Sequence, residues 1–301
     1  FILIGGILLY AVIKTYTRRL KNENIRLEGI VAERTAVVVK QKDELEASIH
    51  YASRIQRALL PSEVILSENI KSYFVLFKPR DIVSGDFYWM TRKEDRLYIV
   101  AADCTGHGVP GAFMSLLGMS FLDEIIDKNV APKANSILNE LRLHVTESLK
   151  QVGDEDEAKD GIDMSLLVID FNTNRMEFSG AYNPCFKVRR ITPEMEERFK
   201  NHDIEMKEGT LSDGRYLLET IFAAKMPIGI SSRMDEDFVL HEWELEKGVS
   251  YYLFSDGYID QFGGPSGRKY MKMNFKKFLL KIQDLAMEKQ KEMLDKNLRE
   301  W

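Results

Sequence analysis

Between Leu20 and Leu59 the chain steps alternately by four and three residues through Leu20, Asn24, Leu27, Val31, Arg34, Val38, Gln41, Leu45, Ser48, Ala52, Ile55 and Leu59. That is heptad spacing. The stretch has no proline and one glycine, Gly29, among many Glu, Lys, Arg and Gln, which favours helix. Half the middle seam positions are polar, so the seam is weak. It suits a dimeric stalk able to shift register, and it also suits one helix lying on a domain. A repeat sustained this long favours the stalk and a homodimer. Pro61 ends the helix, since proline cannot continue one cheaply.

Ahead of the repeat, Phe1 to Ile13 reads FILIGGILLYAVI without a charge, followed by Lys14, Arg18, Arg19 and Lys21. The run is shorter than the roughly 20 residues a bilayer requires. The pattern predicts the C-terminal part of a transmembrane helix with a basic cytoplasmic flank. A signal peptide would carry its positive charge before the apolar run. The plainer alternative is a buried core helix or strand.

Beyond Pro61 the pattern changes. Tyr73–Lys78, Leu97–Ala102, Met164–Asp170, Arg175–Ser179 and Tyr251–Ser255 are short apolar or alternating runs rich in Val, Ile, Tyr and Phe, which predict strands. Gly111–Asn129 and Ala134–Gln151 repeat apolar residues near the helical period, and Asn274 onward predicts one or two more helices. Strands flank a helical pair without regular βαβ alternation. The expectation is an α+β domain with sheet packed on sheet and helices outside. Gly153–Asp160 (GDEDEAKD) predicts an acidic surface loop.

Apolar residues make up 45% of the 301 residues and charged ones 30%, enough for a sizeable core. A net charge of −5 argues against a nucleic-acid partner. Two cysteines, Cys104 and Cys185, form neither a disulfide framework nor a CxxC zinc pair, and fit a reducing compartment.

Three acidic motifs stand at strand ends or turns: Ser84-Gly85-Asp86, Asp103-Cys104-Thr105-Gly106-His107-Gly108, and Ser255-Asp256-Gly257. Glycine beside each aspartate lets the backbone turn tightly and approach a ligand. Carboxylates converging from separate strand ends are what Mg²⁺ and Mn²⁺ need, and both ions accept the same oxygen donors. One Asp-Gly alone is usually a turn. Three in order are a stronger signal.

SGDFYW, ADCTGHGVPGAFMS, DMSLLVID, SGAYNPCF, MPIGI and FSDGYIDQF, in that order, resemble the SpoIIE/RsbU-type branch of the metal-dependent (type-2C) protein phosphatases. The resemblance runs from about Ser53 to Trp301, and IHYASRIQRALLP is similar to the linker entering such domains. It implies an αββα sandwich of two antiparallel sheets flanked by helices, here preceded by a long helix or coiled coil. It implies that Asp103 bridges two metals, that the backbone carbonyl of Cys104 completes one shell, and that Asp86 and Asp256 are further ligands. Asp163 and Asp260 are candidates for a third, looser metal. The divided chain is then 1–14, the end of a transmembrane helix; 15–60, a coiled-coil signalling linker; and 61–301, the phosphatase domain.

The implied activity is hydrolysis of phosphoserine or phosphothreonine in a regulatory protein, such as an anti-sigma-factor antagonist. The domain would lie in the cytoplasm at the inner membrane, under control of the stalk. The alternative is a non-catalytic module that captures a phosphoprotein. His107 reads either as a general acid for the leaving oxygen or as a histidine holding the Gly106–Gly108 turn. Cys104 is followed by Val109 and Pro110 where a cysteine-phosphatase loop needs its arginine, so it is not a nucleophile. Arg80 reads as a solvated residue, and His50, His144, His202 and His241 show no metal spacing. Members of this family also place an Asp-Asp pair before a final strand. This sequence stops at Trp301 without it, so a strand and a ligand are expected to be missing.

Overall fold

A computed structural model describes residues 2–151, 160–200, 208–265 and 267–301. The acidic run 153–159 and His202 fall outside them. The chain forms two units, Phe1–Ala52 and Ser53–Trp301. Its elements are α1 (Ile2–Leu59), α2 (Glu63–Asn69), β1 (Phe87–Lys93), β2 (Arg96–Cys104), α3 (Val109–Lys128), α4 (Ala134–Ser148), β3 (Gly161–Asp170), β4 (Arg175–Ala181), β5 (Cys185–Arg190), α5 (Pro193–Lys200), β6 (Leu211–Ser212), β7 (Tyr216–Ile221), β8 (Ile228–Gly229), β9 (His241–Glu244), β10 (Val249–Tyr252), β11 (Phe262–Gly263), β12 (Arg268–Lys269), α6 (Lys272–Lys281) and α7 (Met287–Glu300).

In the first unit the chain is helical and its apolar side chains are exposed, both Ile4, Leu8 and Val12 near the start and Leu20, Leu27, Val31, Val38 and Leu45 along the seam. The expected membrane-spanning segment is not supported. Among the described residues the one helix long and apolar enough to cross a membrane is α3, which is half buried inside the second unit as a core helix.

The second unit has four layers. One antiparallel sheet runs β1-β2-β3-β4-β9, with β8 also paired to β3; the other runs β10-β5-β7-β6; β11 and β12 form a small ribbon. Strand alternation sorts the side chains. Tyr98, Val100 and Ala102 of β2 and Met164, Leu166 and Val168 of β3 pack with Leu122, Ile125, Ile137 and Leu141 of α3 and α4. The intervening Ile99, Leu167 and Ile169, with Met176 and Phe178 of β4, meet Cys185, Ile221 and Tyr251 of the second sheet. Phe186, Val188, Leu218 and Tyr252 on the outer face of that sheet receive Phe275, Leu279 and Leu294 of α6 and α7. This is the expected αββα sandwich.

Tyr73–Lys78 is a correction: it joins no ladder. Phe74 and Leu76 pack into the core under Tyr252, with the Phe74 and Tyr252 rings 6.2 Å apart. The alternation is therefore met by side-chain packing, without backbone pairing. Tyr251–Ser255 is a strand only to Tyr252, where β10 ends.

Candidate active site

Strand register assembles the site. β1 pairs with β2 so that Phe87 faces Ala102, and β2 pairs with β3 so that Asp103 faces Asp163. One step before β1 the same register sets Asp86 opposite Asp103. Because Ala102 and Cys104 point to the α3/α4 core, Asp103 points to the face that meets the second sheet. Asp163 shares that face with Leu167, and Asp86 shares it with Tyr88 and Met90. Asp256 comes from the other sheet. It follows β10 and opens a short 3-10 turn, Asp256–Tyr258. Ser255 Oγ donates to Asp86 Oδ2 at 3.1 Å, joining the two sheets at this end. Asp86, Asp103, Asp256 and His107 line a cavity of about 810 Å³.

Burial pushes the Asp103 carboxyl up to about 9, and the carboxylates of Asp86 and Asp256, both within hydrogen-bonding reach, add to it. Burial, and then Asp256, push Asp163 up to about 6. Lys269 is engaged by Asp260 and Lys78 by Asp295, while Arg80 lines the cavity. Among the described residues no group of three acidic, histidine or cysteine side chains is closed up as a ready metal cage. Among the described residues no ion pair reaches the three crowded carboxylates. That all-oxygen donor set fits a hard divalent ion such as Mg²⁺ or Mn²⁺.

Glycines allow this crowding. A Cβ on Gly85 would lie 2.9 Å from the Gly106 carbonyl oxygen and 3.0 Å from that of Cys104. A Cβ on Gly111 would lie 2.5 Å from the Gly106 oxygen. The Ser84–Asp86 turn, the loop after β2 and the first turn of α3 therefore touch backbone to backbone. This contact brings the Cys104 carbonyl to the site, while its thiol is buried and raised, chiefly by desolvation.

Gln56 lies in the IHYASRIQRALLP linker, where the sequence alone assigns it no role. It is buried; its Nε2 donates to the Ser84 carbonyl at 2.6 Å and to Ser115 Oγ at 2.7 Å, and its Oε1 accepts from the Ser84 N–H at 3.1 Å. It pins the turn that carries Asp86 to α3. A glutamine on a charged helix carries no periodic signal, so only the fold reveals it.

The other candidates separate. His107 is exposed, its Nδ1 3.6 Å from Asp81 Oδ2. Asp260 receives Lys269 Nζ at 2.6 Å and does not line the cavity. Arg80 does line it. His144 packs on Phe121, and His241 Nε2 meets the Phe222 carbonyl.

Comparison with known proteins agrees with this geometry. Residues 93–300 match the family of Stage II sporulation protein E (SpoIIE). Phosphoserine phosphatase RsbU of Bacillus subtilis (strain 168) is 24% identical over 223 residues, 72% of this chain and 54% of RsbU. The chain thus spans about half the length of that relative. The SiaA-PP2C domain of Pseudomonas aeruginosa is similar in structure with a TM-score of 0.69 at 28% identity, over 86% of this chain and 91% of that domain. The sandwich, the carboxylates at its open end and a family match over most of the chain lead to one assignment: the chain belongs to the SpoIIE family and carries a serine phosphatase domain of the SpoIIE/RsbU type.

Proposed function

We propose that this domain hydrolyses phosphoserine or phosphothreonine in a regulatory phosphoprotein, using two Mg²⁺ or Mn²⁺ ions. The observation that carries the proposal is Asp103, half-buried between Asp86 and Asp256 and driven up to about 9. A binding module has no need of such crowding, whereas a metal-dependent hydrolase does. Divalent ions, when bound, supply neutralisation of phosphoryl charge and hydroxide near neutral pH.

The chain's own residues do the positioning. Asp103 is central and suits a bridging role, with Asp86, Asp256 and the Cys104 carbonyl completing the donor set. Asp163, one strand over, suits a looser third ion; Asp260 would have to release Lys269 to join it. Gln56 and the glycine contacts fix Asp86 against α3. Arg80 at the cavity lip suits the phosphate, and His107, held toward Asp81, suits proton delivery to the leaving oxygen. In-line displacement then depends on positioning and charge neutralisation.

The substrate proposed is a phosphorylated signalling protein of the anti-sigma-factor-antagonist kind, as the family resemblance implies. The stalk is proposed as a homodimer, supported by the exposed seam Leu20, Leu27, Val31, Val38 and Leu45. Hydrolysis of a phosphoserine peptide with Mn²⁺, and its loss in EDTA, tests the chemistry. Turnover that persists in EDTA overturns the metal mechanism. A strictly monomeric chain at high concentration in sedimentation overturns the stalk dimer.

A further inference from the structure

Tyr182 holds a left-handed backbone, φ 55°, directly after β4. A bulky aromatic residue is a genuine outlier there, and such strain persists only where the surrounding structure over-determines it. The surroundings do so. Tyr182 N donates to the Ala224 carbonyl and Ala224 N to the Gly180 carbonyl, both at 2.9 Å. Ser165 Oγ donates to the Asn183 carbonyl at 2.8 Å. A Cβ on Gly180 would lie 2.6 Å from the Asn183 carbonyl oxygen, so this corner has one shape.

Among the described residues five other non-glycine residues have positive φ: Glu94, Ala131, Lys150, Asn174 and Met271. None is aromatic. Glu94 and Asn174 occupy the β1–β2 and β3–β4 turns, at the end of the sheet away from the carboxylates. Tyr182 is at the carboxylate end. Met164 faces Ala181, the last residue of β4, so Tyr182 leaves the sheet at the end that carries Asp163, where β3 passes from β4 to β8. The side chain is half exposed, at 50%. Among the described residues its hydroxyl has no hydrogen-bond partner and its ring no aromatic neighbour. A core role explains neither the exposure nor the retained strain, and Asn would fill this turn at less cost.

We propose that Tyr182 is a substrate-docking residue, its ring gripping the polypeptide that flanks the phosphoserine. The proposal rests on the phosphoprotein-phosphatase reading. A rigid aromatic with a polar tip gives large contact area at low entropy cost. Docking of the flanking chain is needed for a phosphoprotein and irrelevant to a small phosphate ester.

The test compares the full chain with Tyr182→Asn and Tyr182→Phe, using a labelled phosphoserine peptide and p-nitrophenyl phosphate, both with Mn²⁺. Tyr182→Asn should weaken peptide binding by about fivefold or more. Its Tm should hold or rise, and turnover of p-nitrophenyl phosphate should stay within about twofold of wild type. Tyr182→Phe keeps the ring and should bind peptide nearly as well as wild type. Equal peptide affinity in wild type and Tyr182→Asn overturns the proposal, and so does equal loss on both substrates. A clear fall in Tm with Tyr182→Asn also overturns it, by making the ring structural. A wild type that binds peptide in a Tyr182-dependent way but hydrolyses neither substrate overturns the phosphatase reading and leaves the docking role standing.

Discussion

The six-stranded sheet carries partly buried carboxylates at both ends and treats them oppositely. At the hairpin end, Arg96 is buried and reaches Glu177, Asp170 at 3.8 Å, and the Ala131 carbonyl at 2.6 Å. Glu177 also accepts from the Ala134 N–H, which closes the network onto the start of α4. Burial pushes Asp170 up, but hydrogen bonds from Thr173 and Asn172 and the charge of Arg96 outweigh it and hold the carboxyl below its ordinary value. At the other end, Asp103 meets only more carboxylates and is pushed up to about 9. Charge satisfied from within marks a structural joint. Charge left to be satisfied from outside marks a binding site.

The largest effect expected is at Asp103. Asp103→Asn should lower metal-dependent turnover by more than about a hundredfold, because it removes the central donor. It should not lower stability, since it relieves crowding. The metal-free protein sharpens the point. A carboxyl raised from 3.8 to about 9 binds more protons folded than unfolded, so its contribution to stability is full below about pH 4 and is lost as pH rises towards 9. In EDTA the Tm should therefore fall from mildly acidic to alkaline pH, and Asp103→Asn should flatten the fall. Identical pH profiles for the two proteins would remove the electrostatic basis of the site.

Arg96→Ala should act in the opposite sense. It leaves Glu177 buried without its cation, which typically costs about 3–5 kcal/mol. Urea unfolding should show that loss, while the folded fraction retains its turnover. A variant as stable as wild type would mean that the hairpin end is not a joint after all.

How legible each end was in the sequence follows from the same difference. Asp86 stands beside Gly85, which the backbone contacts require, and Asp103 and Asp256 have Gly106 and Gly257 within three residues, so glycine spacing along the chain marks the site. Arg96, Asp170 and Glu177 look like ordinary surface charges on short strands, and only register unites them. The second sheet was hidden for a related reason. In β5 and β7, Lys187 and Arg189 face Glu219 and Leu217, and Arg189 bonds Glu219 at 3.2 Å. Charges at alternate positions masked the strands whose other faces carry Phe186, Val188 and Leu218 into the core. Tyr73–Lys78 erred the other way, since an apolar alternating run can be buried without a pairing partner.

Gln56 tests how firmly the carboxylate end is held. Gln56→Leu keeps most of the volume but leaves the Ser84 N–H and carbonyl without their buried partner. The expected cost is about 1–3 kcal/mol. Turnover should fall in the folded protein as well, because the turn carrying Asp86 loses its tie to α3. A loss of stability with unchanged turnover would make Gln56 part of the scaffold alone.

The smallest effect on stability is expected at His107, and its effect on turnover separates the two roles open to that residue. Its side chain is 77% exposed, and Gly106 and Gly108 take φ of 89° and 65°, conformations that glycine adopts unaided. The imidazole is therefore not needed to hold the turn, and His107→Asn should leave Tm unchanged. If His107 delivers a proton, the loss must depend on the leaving group. A serine alkoxide needs that proton and p-nitrophenolate does not. His107→Asn should thus slow phosphoserine hydrolysis by roughly a hundredfold, at the lower end of general-acid contributions, and leave p-nitrophenyl phosphate almost untouched. Equal slowing of both esters would assign the residue to phosphate binding or to shaping the loop.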